Sequence, residues 1–182
     1  MPEQLTFLDP LPSEGVKRGA VIVGDYRYEL WREWPLPRGD YRRTVTFVML
    51  NPSTADGTDD DRTLSKISGY TRRWGFGALC VVNLYAYRAT EPRDMIAAAK
   101  RGEDIVGMDE WIDGAASRSQ LVVCGWGRNV EDIPGGVERA ADVLRRIRAR
   151  KPPHALKLTK SGQPMHPLYL PGDLLPALMG EW

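Results

Sequence analysis

Two cysteines, two histidines and three phenylalanines are all that this 182-residue sequence holds of those types. Cys80 and Cys124 each sit inside an apolar, β-type run, so a disulfide framework is excluded and a pair of buried thiols in a reducing compartment is expected. No apolar stretch approaches the length that crosses a bilayer. The opening residues Met1-Pro2-Glu3-Gln4 have no basic segment leading into an apolar run, so the expected location is cytoplasmic, with no membrane partner. An excess of one charge is missing too, with 25 Lys and Arg set against 24 Asp and Glu. Nucleic-acid binding driven by total charge is thereby excluded, and any basic surface has to be local. Internal repeats and low-complexity linkers are likewise absent. A chain of this length buries a substantial core, and one α/β domain over 1–182 is expected, with an N-terminal extension and hairpin in 1–40 and the core in 41–182.

What is present is a set of short apolar runs that end in polar loops. Residues 44–50, T-V-T-F-V-M-L, are β-branched and apolar throughout, the pattern of a strand covered on both faces, and they stop at Asn51-Pro52. Residues 79–84 and 121–124 have the same character, and 155–158 reads as a short fourth strand. Between them, residues 63–74, 92–100, 107–116 and 137–149 carry helical spacing, and Asp59, Asp60 and Asp61 precede the first of these, where acidic groups favour a helix start. Strand alternating with helix predicts a three-layer α/β/α fold around a mostly parallel, four-stranded sheet built from right-handed crossovers. Residues 20–23 and 26–34 alternate around Gly24-Asp25 and predict an antiparallel hairpin, a lid or an extension of the sheet edge. The proline-rich stretch 164–176 is expected to wrap the surface ahead of a brief final helix.

In open α/β sheets ligands bind beyond the carboxyl ends of the strands, so the loops there are the place to look for chemistry. The first carries Asn51, Pro52, Ser53, Thr54 and then Asp61. An asparagine held by a following proline can orient water or a base edge, and an aspartate can serve as general base. The same residue types also favour turns and helix caps, so both readings stand. The second loop offers Asn83, Tyr85, Tyr87 and Arg88, able to read a base edge and stack on a ring, or else to fill the core. The third brings Trp126 between two glycines, and the fourth brings His166-Pro167 near Lys160, where an imidazole can donate to a developing anion or simply pack. The aspartates lack calcium-loop spacing and have no His or Cys nearby, so no metal ligand set and no cofactor is expected. Basic residues at 72–73 and 145–151 lie toward helix ends, as solvated termini or as part of a phosphate track.

The strings F-V-M-L-N-P-S-T-A-D, R-R-W-G-F-G-A-L-C-V-V-N-L-Y-A-Y-R-A-T and K-S-G-Q-P-M-H-P-L-Y-L, with the G-W-G between the last two, resemble the family called Domain of Unknown Function 1643 over roughly residues 26–170. That name declares no activity. More distantly, the order of loop motifs is similar to the uracil-DNA glycosylase superfamily: Leu50-Asn51-Pro52-Ser53 to its first motif, of G-x-N-P-G type, Asn83 to the asparagine ending strand two, Trp126-Gly127 to its W-G, and His166-Pro167 to its H-P motif. That resemblance implies a nucleobase-directed, DNA-glycosylase-like hydrolase in which Asn51 positions water, Asn83 reads the base edge and His166 approaches the leaving base or a phosphate. Its partners would be a nucleic acid or nucleotide. Leu50, Ser53 and Leu168-Tyr169-Leu170 depart from the superfamily's glycines and serine-rich continuation. A non-catalytic nucleotide- or nucleic-acid-binding module with the same fold is the alternative, and a phosphate- or metal-dependent enzyme organised by the aspartates is a third.

Overall fold

The computed structural model describes residues 15–35, 43–53, 55 and 57–180. In chain order these form β1 (Lys17–Val23), β2 (Tyr26–Glu33), β3 (Thr44–Met49), α1 (Arg62–Arg73), β4 (Ala78–Asn83), α2 (Pro92–Lys100), α3 (Glu110–Arg118), β5 (Leu121–Cys124), α4 (Gly136–Arg148), β6 (Pro153–Ala155) and β7 (Ala177–Leu178). Short 3-10 turns span Arg128–Asp132 and Pro167–Tyr169.

The fold is α/β, built on one seven-stranded sheet of order β1-β2-β4-β3-β5-β6-β7. Its centre, β4-β3-β5-β6, is parallel. The expectation of a four-stranded sheet is corrected, because both edges of that parallel centre find antiparallel partners. β2 pairs Leu30 with Val81 and Arg32 with Leu79, which makes the β1-β2 hairpin an edge extension, and β7 pairs with β6 at the far side. An uncovered β4 edge would leave a row of backbone donors and acceptors for a foreign strand, and the hairpin satisfies it.

The strands alternate their side chains between two cores. Val45, Phe47, Leu79 and Val81 pack with Leu64, Ile67 and Tyr70 of α1 on one face. Val48, Cys80, Val82 and Val122 pack with Met95 of α2, Ile112 and Ala115 of α3, and Val143 and Ile147 of α4 on the other. Burial of each such large side chain stabilises the fold by roughly 1.5–3 kcal/mol. Both cysteines are free and buried. Burial, reinforced by the charge of Glu29, pushes the Cys80 thiol up to about 12, and burial likewise pushes Cys124 up.

Two local expectations are corrected. The strand expected at 155–158 lies at Pro153–Ala155, and Leu158 instead bridges to Pro164 across a turn that Gly162 closes with φ 86. The expected final helix is absent among the described residues: Pro176 lacks a donor for a helical bond, and the segment runs on as β7, with Met179 N–H donating to Pro153 O at 2.9 Å. No helix among the described residues is long and apolar enough to cross a membrane.

The connection from β3 runs through α1 to β4 on one side, and the chain then returns to place β5 on the other side of β3. Loops leaving the carboxyl ends of β3 and β5 therefore diverge, and a crevice opens between them.

Candidate functional site

A cavity of about 450 Å³ occupies that crevice. Asn51, Ser53 and Asp61 reach it from the segment after β3, Asn83 from the last position of β4, Trp126 from the loop after β5 and His166 from the segment after β6. Four sequence-distant loops meet there because parallel strands deliver their carboxyl ends to one edge.

Asn51 is anchored from both sides. Its side-chain NH₂ donates to Pro52 O at 3.1 Å and to Ala89 O at 2.9 Å, while Pro52 O also accepts the Ala89 N–H at 3.0 Å. Leu84 N–H and Tyr85 N–H bind Met49 O and Leu50 O, so the loops after β3 and β4 are stitched together along their length. With both amide hydrogens committed, the group Asn51 has left to offer a ligand or a water is its carbonyl oxygen, which takes no donor among the described residues.

Asn83 is the opposite case. It is 6% exposed, and neither its Nδ2 nor its Oδ1 has a hydrogen-bond partner among the described residues. A buried polar group left unsatisfied costs about 1–3 kcal/mol, so a side chain carrying two such atoms into a cavity is poised for a partner that supplies one acceptor and one donor.

Asp61 is the N-cap of α1, where one carboxylate oxygen accepts the Leu64 N–H at 2.7 Å and the other accepts the Ser53 hydroxyl. His166 Nδ1 accepts the Leu168 N–H at 3.3 Å, which assigns the ring proton of the neutral imidazole to Nε2. Burial holds the His166 pKa below its ordinary value, and the nearby Asp61 charge pulls in the opposite direction. The ring is thus a neutral N–H donor on the cavity wall.

The G-W-G segment has a steric explanation. A Cβ on Gly125 would lie 2.9 Å from Pro167 Cδ, and one on Gly127, whose φ is 79°, would lie 3.2 Å from His166 Cβ. Only glycines let the His166 segment close over the carboxyl end of β5. Trp126 between them is 2% exposed, with its indole N–H on Gln163 Oε1 at 2.9 Å.

Five expected site residues do not line the cavity. Pro52 is buried behind it and contributes its carbonyl to the stitching described above. Tyr85 is buried in the opposite core, because β4 ends at Asn83 and pairing with the β3 loop turns the following residues toward α4. Tyr87 packs edge-on against Tyr26 at 6.0 Å, and Arg88 binds Asp25 O through its backbone N–H at 2.8 Å, so the hairpin takes both. Lys160 is exposed on the turn after β6. Thr54 lies outside the described residues. Of the other loop aspartates, Asp60 pairs with Arg32, and among the described residues no group of three His, Cys, Asp or Glu comes together in a way that would hold a metal ion.

The wall also contains residues that sequence reasoning missed, among them Arg27 and Leu30 of β2, Arg128, Asn129 and Met165. The available signal for Arg27 was only a basic residue in a predicted edge strand, where an arginine ordinarily faces solvent.

Comparison with known proteins adds a family and no activity: the family model described as a protein of unknown function, DUF1643, matches residues 27–168. No curated protein and no solved structure matches the chain.

Proposed function

The chain belongs to the DUF1643 family, and from its cavity we propose that it is a nucleobase- or nucleotide-directed enzyme, hydrolysing or remodelling the N-glycosidic bond of a modified base in the manner of a DNA glycosylase. The observation that carries this reading is the unpartnered amide of Asn83, buried at the end of β4 and facing a cavity large enough for a base. An amide offers one acceptor and two donors in a plane, the complement of a nucleobase edge. The order of loops after the strands, Asn51-Pro52, Asn83, Trp126-Gly127 and His166-Pro167, supports an arrangement like that of the uracil-DNA glycosylase superfamily, including its layering of helices on both faces of a parallel sheet.

In the proposed reaction Asn51 Oδ1 accepts a hydrogen from the attacking water and aims its oxygen at the anomeric carbon. The bond from that carbon to the base nitrogen breaks, and its electron pair leaves with the base. His166 Nε2–H donates to the departing ring, and the water's proton passes to Asp61 or to solvent. Nucleic acid or nucleotide is the partner on this reading, and the exposed Arg128 and Lys160 are placed to meet phosphates.

The test is base release from oligonucleotides carrying a panel of modified bases. Asn51→Ala should lower the release rate by about 100-fold or more, on the scale of a lost transition-state contact, whereas Asn83→Ala should relax the choice of base. Equal release by Asn51→Ala and the parent protein removes Asn51 from the mechanism. One observation favours a second reading, a non-catalytic nucleotide- or nucleic-acid-binding module: both Asp61 oxygens are already engaged, one in capping α1 and one with Ser53. That reading requires concentration-dependent stabilisation by ligand without product.

A further inference from the structure

Inward of Asn83 the cavity changes character. Val81 lies two residues before Asn83 on the same face of β4, and β2 sets Leu30 directly opposite Val81. With Met49, which pairs with Asn83 from β3, these side chains make an aliphatic floor, and Leu64 and Ile67 of α1 pack against it from the other side. All five are buried and all five line the cavity. The space therefore runs from the polar rim at Asn51 and Asn83 into a recess between the sheet and α1, where these side chains offer no hydrogen bond.

A β-bulge keeps that recess clear of an aromatic ring. Along β1 and β2 the pairing runs Val21 with Glu29 and then Ile22 with Arg27, so Tyr28 is skipped. In a regular strand Tyr28 would share the face of Leu30, and the register of β2 on β4 would carry its ring to the position opposite Asn83. The extra residue sends it the other way. Tyr28 and Glu29 share the face toward α3, where the Tyr28 ring stacks on Trp111 at 6.0 Å and Glu29 pairs with Arg118. Arg27 takes the cavity side instead and spans from the hairpin to the segment after β3, its Nη1 donating to Ala55 O at 2.6 Å. Bulges beside functional sites commonly re-aim a side chain in this way.

A volume of about 450 Å³ falls in the range that takes a ligand larger than one ring. An aliphatic void holds water poorly, and filling it with methylene groups stabilises a complex in proportion to the apolar area withdrawn from water. Resting on the base-directed reading above, we propose that the recess is a subsite for an aliphatic substituent, and that the substrate is a base carrying such a group beside the edge that Asn83 reads. The Asn83 amide fixes the ring at the mouth, and Leu30, Val81 and Ile67 receive the substituent. An unsubstituted base leaves the recess empty, and a polar substituent gives up its water there without gaining a partner from these side chains.

The experiment measures calorimetric binding of uracil, thymine and the homologues in which ethyl or propyl replaces the thymine methyl group. Affinity for the parent protein should rise about three- to fourfold per added carbon. The analogue with hydroxymethyl in place of ethyl should bind about tenfold or more weakly than its ethyl counterpart. Val81→Phe, which fills the recess, should keep uracil affinity within about threefold and gain nothing from the propyl chain. Affinity that stays level or falls along the alkyl series overturns the proposal, as does hydroxymethyl binding as tightly as ethyl. Both of those outcomes are read on the parent protein alone, whatever the stability of the variant. An alkyl gain undiminished in Val81→Phe puts the substituent elsewhere and overturns it too. Loss of uracil binding in Asn83→Ala reports on the base-directed reading separately, because that variant leaves the aliphatic side chains in place. If none of the pyrimidines binds the parent protein, that reading fails and the subsite falls with it.

Discussion

Asn51 and Asn83 are the same side chain in opposite circumstances. The first has its NH₂ bound to two carbonyls and presents an oxygen; the second has no hydrogen-bond partner among the described residues and presents a whole amide edge. On the proposed reading, Asn51 would align a water because its amide is held in place, and Asn83 would read a base edge because its amide is not spent elsewhere. Asp61 is where two roles compete, since capping and general-base chemistry draw on the same carboxylate. Asparagine is as good an N-cap as aspartate, so Asp61→Asn should change stability by no more than about 0.5 kcal/mol, whereas Asp61→Ala should lose about 1 kcal/mol in urea unfolding. If Asp61 takes the water's proton, Asp61→Asn is stable and inactive. Full base release by that variant leaves Asp61 as a helix cap alone.

The segment between β3 and α1 is held at both ends by other elements. Arg32 of β2, 1% exposed, donates through Nε at 2.9 Å and Nη2 at 2.6 Å to a single Asp60 oxygen and so fastens the hairpin to the approach of α1. Arg27 makes the second fastening at Ala55. Removing Asp60 takes one carboxylate away from a buried guanidinium, and Asp60→Ala should cost about 3 kcal/mol in equilibrium unfolding. Glu103→Ala, which breaks the exposed pair with Arg101, should leave the unfolding midpoint where it is. Equal, small effects of both substitutions would mean that the hairpin does not brace the loop. The bulge at Tyr28 belongs to the same economy of positions: one inserted residue moves a tyrosine to α3 and an arginine to the cavity.

Across the molecule, the parallel centre of the sheet collects the chemistry at one edge, and burial of that edge tunes it. His166 has its pKa lowered by burial from the ordinary 6.5, with Asp61 opposing. Just below pH 6.5 the unfolded chain therefore takes up a proton at this position that the folded chain refuses. The contribution of neutral His166 to stability is complete above that pH and is lost as pH falls through the folded-state pKa. The parent protein should lose more stability than His166→Asn between pH 7 and about 5, measured as the difference in unfolding free energy. Parallel pH dependence of the two proteins would place His166 in water. The near balance of charge, +1 overall, means that a grip on nucleic acid would have to be local and could not come from the field of the whole surface.

The central strands at Thr44–Met49, Ala78–Asn83 and Leu121–Cys124 are readable from local composition, because a strand buried on both faces has to be apolar along its whole length. The meeting of Asn51, Asn83, Trp126 and His166 follows almost as directly, since parallel strands with short loops bring the residues after them to one rim. Tyr85 and Arg27 escaped that logic. Tyr85 follows the last position of a strand, where alternation lapses and backbone pairing with a neighbouring loop chooses the face; Arg27 depends on a one-residue slip in pairing with β1. The same holds for β7 in place of a helix, and for the seven-stranded extent of a sheet of which the parallel centre and the N-terminal hairpin were legible. Periodicity reports how much of a segment is buried, whereas register and edge pairing are settled between segments far apart in the chain, and these are the interactions that aim individual side chains into the cavity.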